Sequence, residues 1–171
     1  MKKRVKAKAK KKPKPKIAQA VRRGLEIRPL PYSKTPGTAY HWTYVLRAKD
    51  PKKRELIARG MEYAVAKNNL ITYSNEAAKN AVLFDRVEPL KFDCRKLKKR
   101  ATTNCCNLVS TACRFAGIKT PRKSSAATLP QKWKKYGFDV IPYKDGKTKL
   151  LRGDILDASI KPKVHTAGYL G

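Results

Sequence analysis

A thiol at the mouth of a helix is the feature of this sequence that points most directly to chemistry. Asn104-Cys105-Cys106-Asn107-Leu108-Val109 runs without a break into Ser110-Thr111-Ala112-Cys113-Arg114-Phe115-Ala116-Gly117-Ile118. Apolar side chains at 105, 108, 109, 112, 113 and 116 share one face of a helical period. Thr102, Thr103 and Asn104 are cap-type residues ahead of that face, and Gly117 is suited to end it. Cys105 therefore falls in the first turn, where unpaired backbone N–H groups and the helix dipole favour an anion and lower a thiol pKa. The ordinary role of a single cysteine is a small buried hydrophobe, so its position matters more here than its type.

Acyl transfer by a thiolate needs a base that later acts as an acid, and donors for the oxyanion. The backbone N–H of Cys105, at the helix start, is the natural oxyanion donor. Two histidines are present. His41, beside Trp42, reads as packing or a surface hydrogen bond, and His165 opens an apolar run that reads as a strand. Cys106 stands next to Cys105, so the nucleophile is open to displacement by one residue.

The elements that must carry these groups can be read from the apolar pattern. Tyr40 to Leu46 predicts a strand with Tyr40, Trp42, Tyr44 and Leu46 on one face. Asp50-Pro51 is a helix entry, and Leu56, Ile57, Gly60, Met61, Ala64 and Val65 mark a buried stripe running to about Lys67. Asn68-Asn69 ends that helix. Tyr73 to Leu97 carries no clear pattern. Within it Phe92-Asp93-Cys94 resembles a nucleophile site, but a basic run from Arg95 to Arg100 follows instead of an apolar helix face, which makes Cys94 a decoy. Beyond the thiol helix come a loop at 124–128, a short helix burying Leu129, Trp133 and Tyr136, and strands at 138–142, 154–156 and 164–170. A helix bearing the thiol, packed on a small antiparallel sheet bearing the imidazole, is an α+β arrangement.

Charge is the other strong signal. Lys plus Arg outnumber Asp plus Glu by 42 to 12, a net charge of +30. Lys2, Lys3, Arg4, Lys6, Lys8, Lys10, Lys11, Lys12, Lys14 and Lys16 make residues 1–16 a low-complexity basic arm, predicted to be disordered when free and suited to polyanions. The remaining residues still hold 32 basic against 12 acidic side chains. Such a field concentrates nucleic acid or an anionic wall polymer near the surface. Residues 17–50 read as a linker, with Pro29, Pro31, Pro36 and Gly37 marking an irregular connection, plus a possible closing strand. Residues 51–171 read as the main domain.

No run is long and apolar enough for a transmembrane helix, and the basic start lacks the apolar stretch of a secretion signal. Cys94, Cys105, Cys106 and Cys113 read as reduced thiols. Their spacing does not form the paired sets that structural zinc requires, and no metal or other cofactor is expected.

Five segments in one order resemble the NlpC family of papain-like cell-wall cysteine peptidases and amidases, especially its phage lysin forms. They are Asn104 to Val109, Ala116 to Ile118, Gly137-Phe138, Arg152 to Leu156 and His165 to Gly171, and the likeness spans about Ala58 to Gly171. The resemblance implies a papain-like fold, Cys105 as nucleophile and His165 as base. It also implies the Cys105 backbone as oxyanion donor and Tyr73 as a substrate-binding residue. The implied activity is hydrolysis of peptidoglycan amide bonds. The implied location is the phage virion, or the host cytoplasm before release to the wall, with other virion proteins as further partners. The second reading is a non-enzymatic basic virion or nucleic-acid-binding protein on the same fold; processing of a viral polyprotein is a third.

The sequence departs from the family pattern in two ways. Asn104 replaces the usual Asp and Cys106 the usual Ser. The strand that would bear a residue orienting the histidine does not follow Gly171. The expected consequences are a Cys–His dyad, an unpaired sheet edge, or a replacement from elsewhere in the chain. Tyr40 to Leu46 is the expected replacement, lying beside the 164–170 strand in a circularly permuted domain.

Overall fold

The computed structural model describes residues 14–30, 41–159 and 164–171. It is an α+β fold: helices pack against one face of a mostly antiparallel sheet. Strands β1 (Lys16–Val21) and β2 (Gly24–Pro29) form a hairpin, followed by β3 (Tyr44–Ala48), helix α1 (Pro51–Val65) and β4 (Ile71–Tyr73). Helix α2 (Val82–Val87), β5 (Ala101–Thr103), α3 (Cys105–Phe115), α4 (Leu129–Trp133), β6 (Phe138–Pro142), β7 (Ile155–Ala158) and β8 (His165–Tyr169) complete the order. Six strands form one antiparallel sheet in the order β2-β1-β8-β7-β3-β6, and β4 pairs with β5 in a short parallel ladder.

Helix α1 starts where its sequence predicts. The Asp50 side chain accepts from the Lys52 backbone N–H at 2.8 Å, and Pro51 occupies a position that needs no N–H donor. Its buried stripe is Ile57, Ala58, Gly60, Met61 and Ala64, while Leu56 stays exposed. Gly60 lets α3 approach closely, since a Cβ there would lie 3.1 Å from the Ala112 Cα. Trp133 and Phe138, both buried and 5.2 Å apart between ring centres, anchor the other end of the core.

Two expectations need correction. The strand beside β8 is β1, whereas β3 lies between β7 and β6, one strand removed from β8. Both strands are interior, since Val45 and Leu46 on β3, like Ile17 and Ala18 on β1, are fully buried on opposite faces. The difference lies in size: β1 turns the small Ala18 and Ala20 to the helices, where β3 turns Leu46 and Ala48. The segment read as an irregular linker thus holds a hairpin, with Arg22-Arg23 as its loop and Gly24 at φ +113°. β8 has no free edge, because β1 and β7 flank it. Of the proposed basic arm, Lys2 to Lys12 lie outside the described residues, as does Tyr40; Lys14 is exposed and Lys16 already belongs to β1.

The Arg152-Gly153-Asp154 segment ties the sheet to α1. Arg152 bonds Glu55 and Glu62 on α1 and the Leu170 carbonyl, while Asp154 takes both nitrogens of a fork from Arg47 on β3. Gly153, at φ +85°, donates to the Tyr169 carbonyl at 2.9 Å, and a Cβ on it would run into the Arg54 backbone. This motif fixes the strand that carries His165 against the helical layer.

Candidate active site

Cys105 is the first residue of α3. Asn104 caps the helix, its side-chain oxygen accepting from the Asn107 N–H at 2.8 Å. Asn107 in turn donates to the Asn80 carbonyl and accepts from the Ser124 N–H at 3.0 Å. The helix start is therefore fastened to loops on two sides, which holds the thiol still.

His165 opens β8, and a third residue stands behind it. The Gln19 side chain, on β1, lies with its Oε1 2.9 Å from His165 Nε2. The Gln19 amide nitrogen donates to Glu26 Oε1 at 2.8 Å, and Arg28 holds that same oxygen at 2.7 Å. With its NH2 group committed to Glu26, Gln19 turns its carbonyl oxygen to the ring, so His165 Nε2–H donates. The neutral ring then carries its proton on Nε2, and Nδ1 is its basic nitrogen. Trp42 packs near the imidazole, with ring centres 6.0 Å apart.

The four thiols differ sharply. Cys105 is held well below its ordinary pKa, first by a hydrogen bond with the Cys106 thiol, whose sulfur lies 3.7 Å away. Burial opposes this, and the His165 imidazole, through hydrogen bonding and charge, and the Thr166 N–H add to it. Cys106 moves the other way, because it gives its proton to that bond, is buried, and faces the charges of Cys105 and Asp157. Burial, with the Asp93 charge, pushes Cys94 up to about 12, and burial raises Cys113 as well. All four are free and buried. The arrangement thus concentrates thiolate character on Cys105, beside an imidazole.

Asp157, opposite Thr166 in the β7–β8 ladder, is fully buried, and burial lifts its carboxyl to about 7. Ser159 donates to Asp157 Oδ2 at 2.6 Å, while Asp157 Oδ1 and the Thr166 hydroxyl oxygen have no hydrogen-bond partner among the described residues. Tyr73 ends β4 directly beside Thr103, two positions before the thiol, and its hydroxyl donates to Asn75 at 2.8 Å. His41 is exposed. No cluster of three or more His, Cys, Asp or Glu suited to a metal ion occurs among the described residues.

Gln19, Trp42 and Asp157 escape a reading based on motifs. Gln19 sits in a short strand next to a lysine-rich run, far from the thiol in sequence. The signal that would find it is the pair of apolar runs flanking Arg22-Arg23, which is hairpin spacing.

The α+β fold thus brings a thiol of lowered pKa, an imidazole and a polar group behind it into one region. The sequence profile of the endolysin-like domain matches residues 22–167, most of the chain, so the chain belongs to the endolysin-like domain family. That membership supports a phage lysin-type role directed at the cell wall. No curated protein and no solved structure matches the chain.

Proposed function

We propose that the protein is a cysteine hydrolase of the papain-like NlpC type, cleaving amide bonds in peptidoglycan as an endopeptidase or amidase. The observation that carries this is the order Cys105, His165, Gln19: a lowered thiol, an imidazole with its tautomer fixed, and the group that fixes it. His165 Nδ1 takes the Cys105 thiol proton, and the resulting thiolate attacks the amide carbonyl carbon. The resulting oxyanion is taken by the Cys105 backbone N–H at the helix start. His165 gives a proton to the leaving amine, leaving a thioester on Cys105. It then takes a proton from water, whose attack releases the acid and restores the thiol. Tyr73, beside the helix entrance, would contact the amine side of the substrate.

The charge favours a second component of function. A net charge of +30 would draw the protein to an anionic wall polymer or to nucleic acid, with residues 1–16 as the contact and other virion proteins as neighbours. Delivery from the virion, or from the host cytoplasm at lysis, fits this reading. Among the described residues no helix is long and apolar enough to cross a membrane.

Turbidity of a cell-wall suspension tests the hydrolase. The wild type clears it and Cys105→Ala does not, although both melt at similar temperatures. Equal clearing by the two proteins would end the thiol mechanism and leave the charged binder.

A further inference from the structure

A second site lies away from the thiol, on the segment between α2 and β5. An open cleft of about 560 Å³ is lined by Arg86, Leu90, Lys96, Leu97, Lys98 and Lys99. Its four cations are exposed and make no ion pair among the described residues, and no carboxylate lines it. The nearby acids are already taken: Asp85 by Arg122, Glu88 by Arg114, and Asp93 by Arg95. The basic surplus is therefore local to the cleft as well as general to the chain.

The backbone is bent at some cost to make this cleft. Lys91 and Phe92 stand at φ +56° and +60°, the two non-glycine residues among those described that adopt the left-handed region. Each such placement costs about 1–2 kcal/mol. Together they reverse the chain between the 3₁₀ turns at Glu88–Leu90 and Cys94–Lys96, which sets Arg86 and Leu90 opposite Lys96 to Lys99. Strain held between two basic flanks is the kind of outlier that points to a ligand.

We propose that this cleft binds the phosphate headgroup of an anionic phospholipid at a membrane surface, with the start of its acyl region against Leu90 and Leu97. The cations answer the phosphate, and the leucines and lysine stems give the apolar part a floor. A purely polar phosphate polymer would use the cations and gain nothing from the leucines. The volume falls within the range usual for small-ligand sites. The site is independent of the thiol chemistry and stands whether or not Cys105 is a nucleophile.

Co-sedimentation of the full chain with vesicles tests it. The vesicles are phosphatidylcholine alone, or phosphatidylcholine with phosphatidylglycerol, at physiological salt, where charges away from the contact are screened. Three proteins are compared with wild type: Lys96→Gln/Lys98→Gln/Lys99→Gln; a control with equal charge loss, Lys144→Gln/Lys147→Gln/Lys149→Gln; and Leu90→Ser. All six lysines are exposed, so neither triple variant threatens folding. The cleft triple should weaken binding to the anionic vesicles about tenfold or more, and the control by less than about threefold. Leu90→Ser should weaken vesicle binding while leaving affinity for a DNA duplex unchanged. Equal losses in the two triples would overturn the proposal, since the general field would then be the binder. So would loss of DNA affinity matching the loss of vesicle affinity in the cleft triple, with Leu90→Ser without effect; that result would identify a polar phosphate-polymer site.

Discussion

Gln19 and His165 stand 146 positions apart in sequence and 2.9 Å apart in space. The first belongs to the strand that opens the described fold, the second to the strand that closes it, and β1 and β8 are neighbours in the sheet. Their bond fixes which ring nitrogen of the neutral His165 carries the proton.

Gln19→Ala should lower kcat by about tenfold to a hundredfold with little change in KM. This is less than the roughly 10²–10⁴ that a general base itself contributes. Glu26→Ala should cost less, because it frees the Gln19 amide to turn without removing its oxygen. Steady-state kinetics on a defined muropeptide checks both. An unchanged kcat in Gln19→Ala would show that the bond is structural.

Asp157 makes stability depend on pH. Its carboxyl is raised to about 7 in the folded protein, against about 4 when unfolded, so the native state binds the extra proton between those values. Stability falls as pH rises through that window, and the full penalty, on the order of 4 kcal/mol, is present above it. Asp157→Asn keeps an acceptor for Ser159 and removes the charge facing Cys105 and Cys106. Thermal melts should show the variant more stable than wild type at about pH 8, with little difference at about pH 4. Equal melting curves at both values would mean that the carboxyl titrates normally.

Two of the glycines at positive φ, Gly153 and Gly117, should not tolerate alanine equally. Gly153→Ala meets the Arg54 backbone as well as an unfavourable φ, and should cost about 3 kcal/mol or more. Gly117→Ala faces open space at φ +74° and should cost about 1–2 kcal/mol. Denaturant unfolding measures both, and a reversed order would contradict the packing described for Arg152 to Asp154.

Much of this architecture is legible from sequence where one signal acts alone. The α3 face, its Asn104 cap and its Gly117 end follow from period and capping chemistry, and so does the start of α1 at Asp50-Pro51. Strand pairing is harder, because it depends on which faces must be covered. Tyr40 to Leu46 reads as the strand next to His165, but that place goes to β1, which turns the small Ala18 and Ala20 to the helices. β1 is obscured in the sequence because Ile17 to Val21 is short and follows a lysine run whose charge dominates any window average. Gln19 is obscured with it, since nothing in its local sequence marks a glutamine as a partner for a distant histidine. Asp157 is hidden for a related reason: β8 and β3 pair with it on either side, and Cys105 and Cys106 of α3 stand near it, neighbours that no sequence window contains.

The most direct test of the account is the rate of alkylation at Cys105 as a function of pH, followed by peptide mass mapping with iodoacetamide. The account predicts that Cys105 gains reactivity well below the usual thiol pKa of about 8.5, ahead of Cys94, Cys106 and Cys113, and that His165→Ala moves the rise upward. A Cys105 that titrates at or above the ordinary value, or reacts no sooner than Cys94, would contradict it.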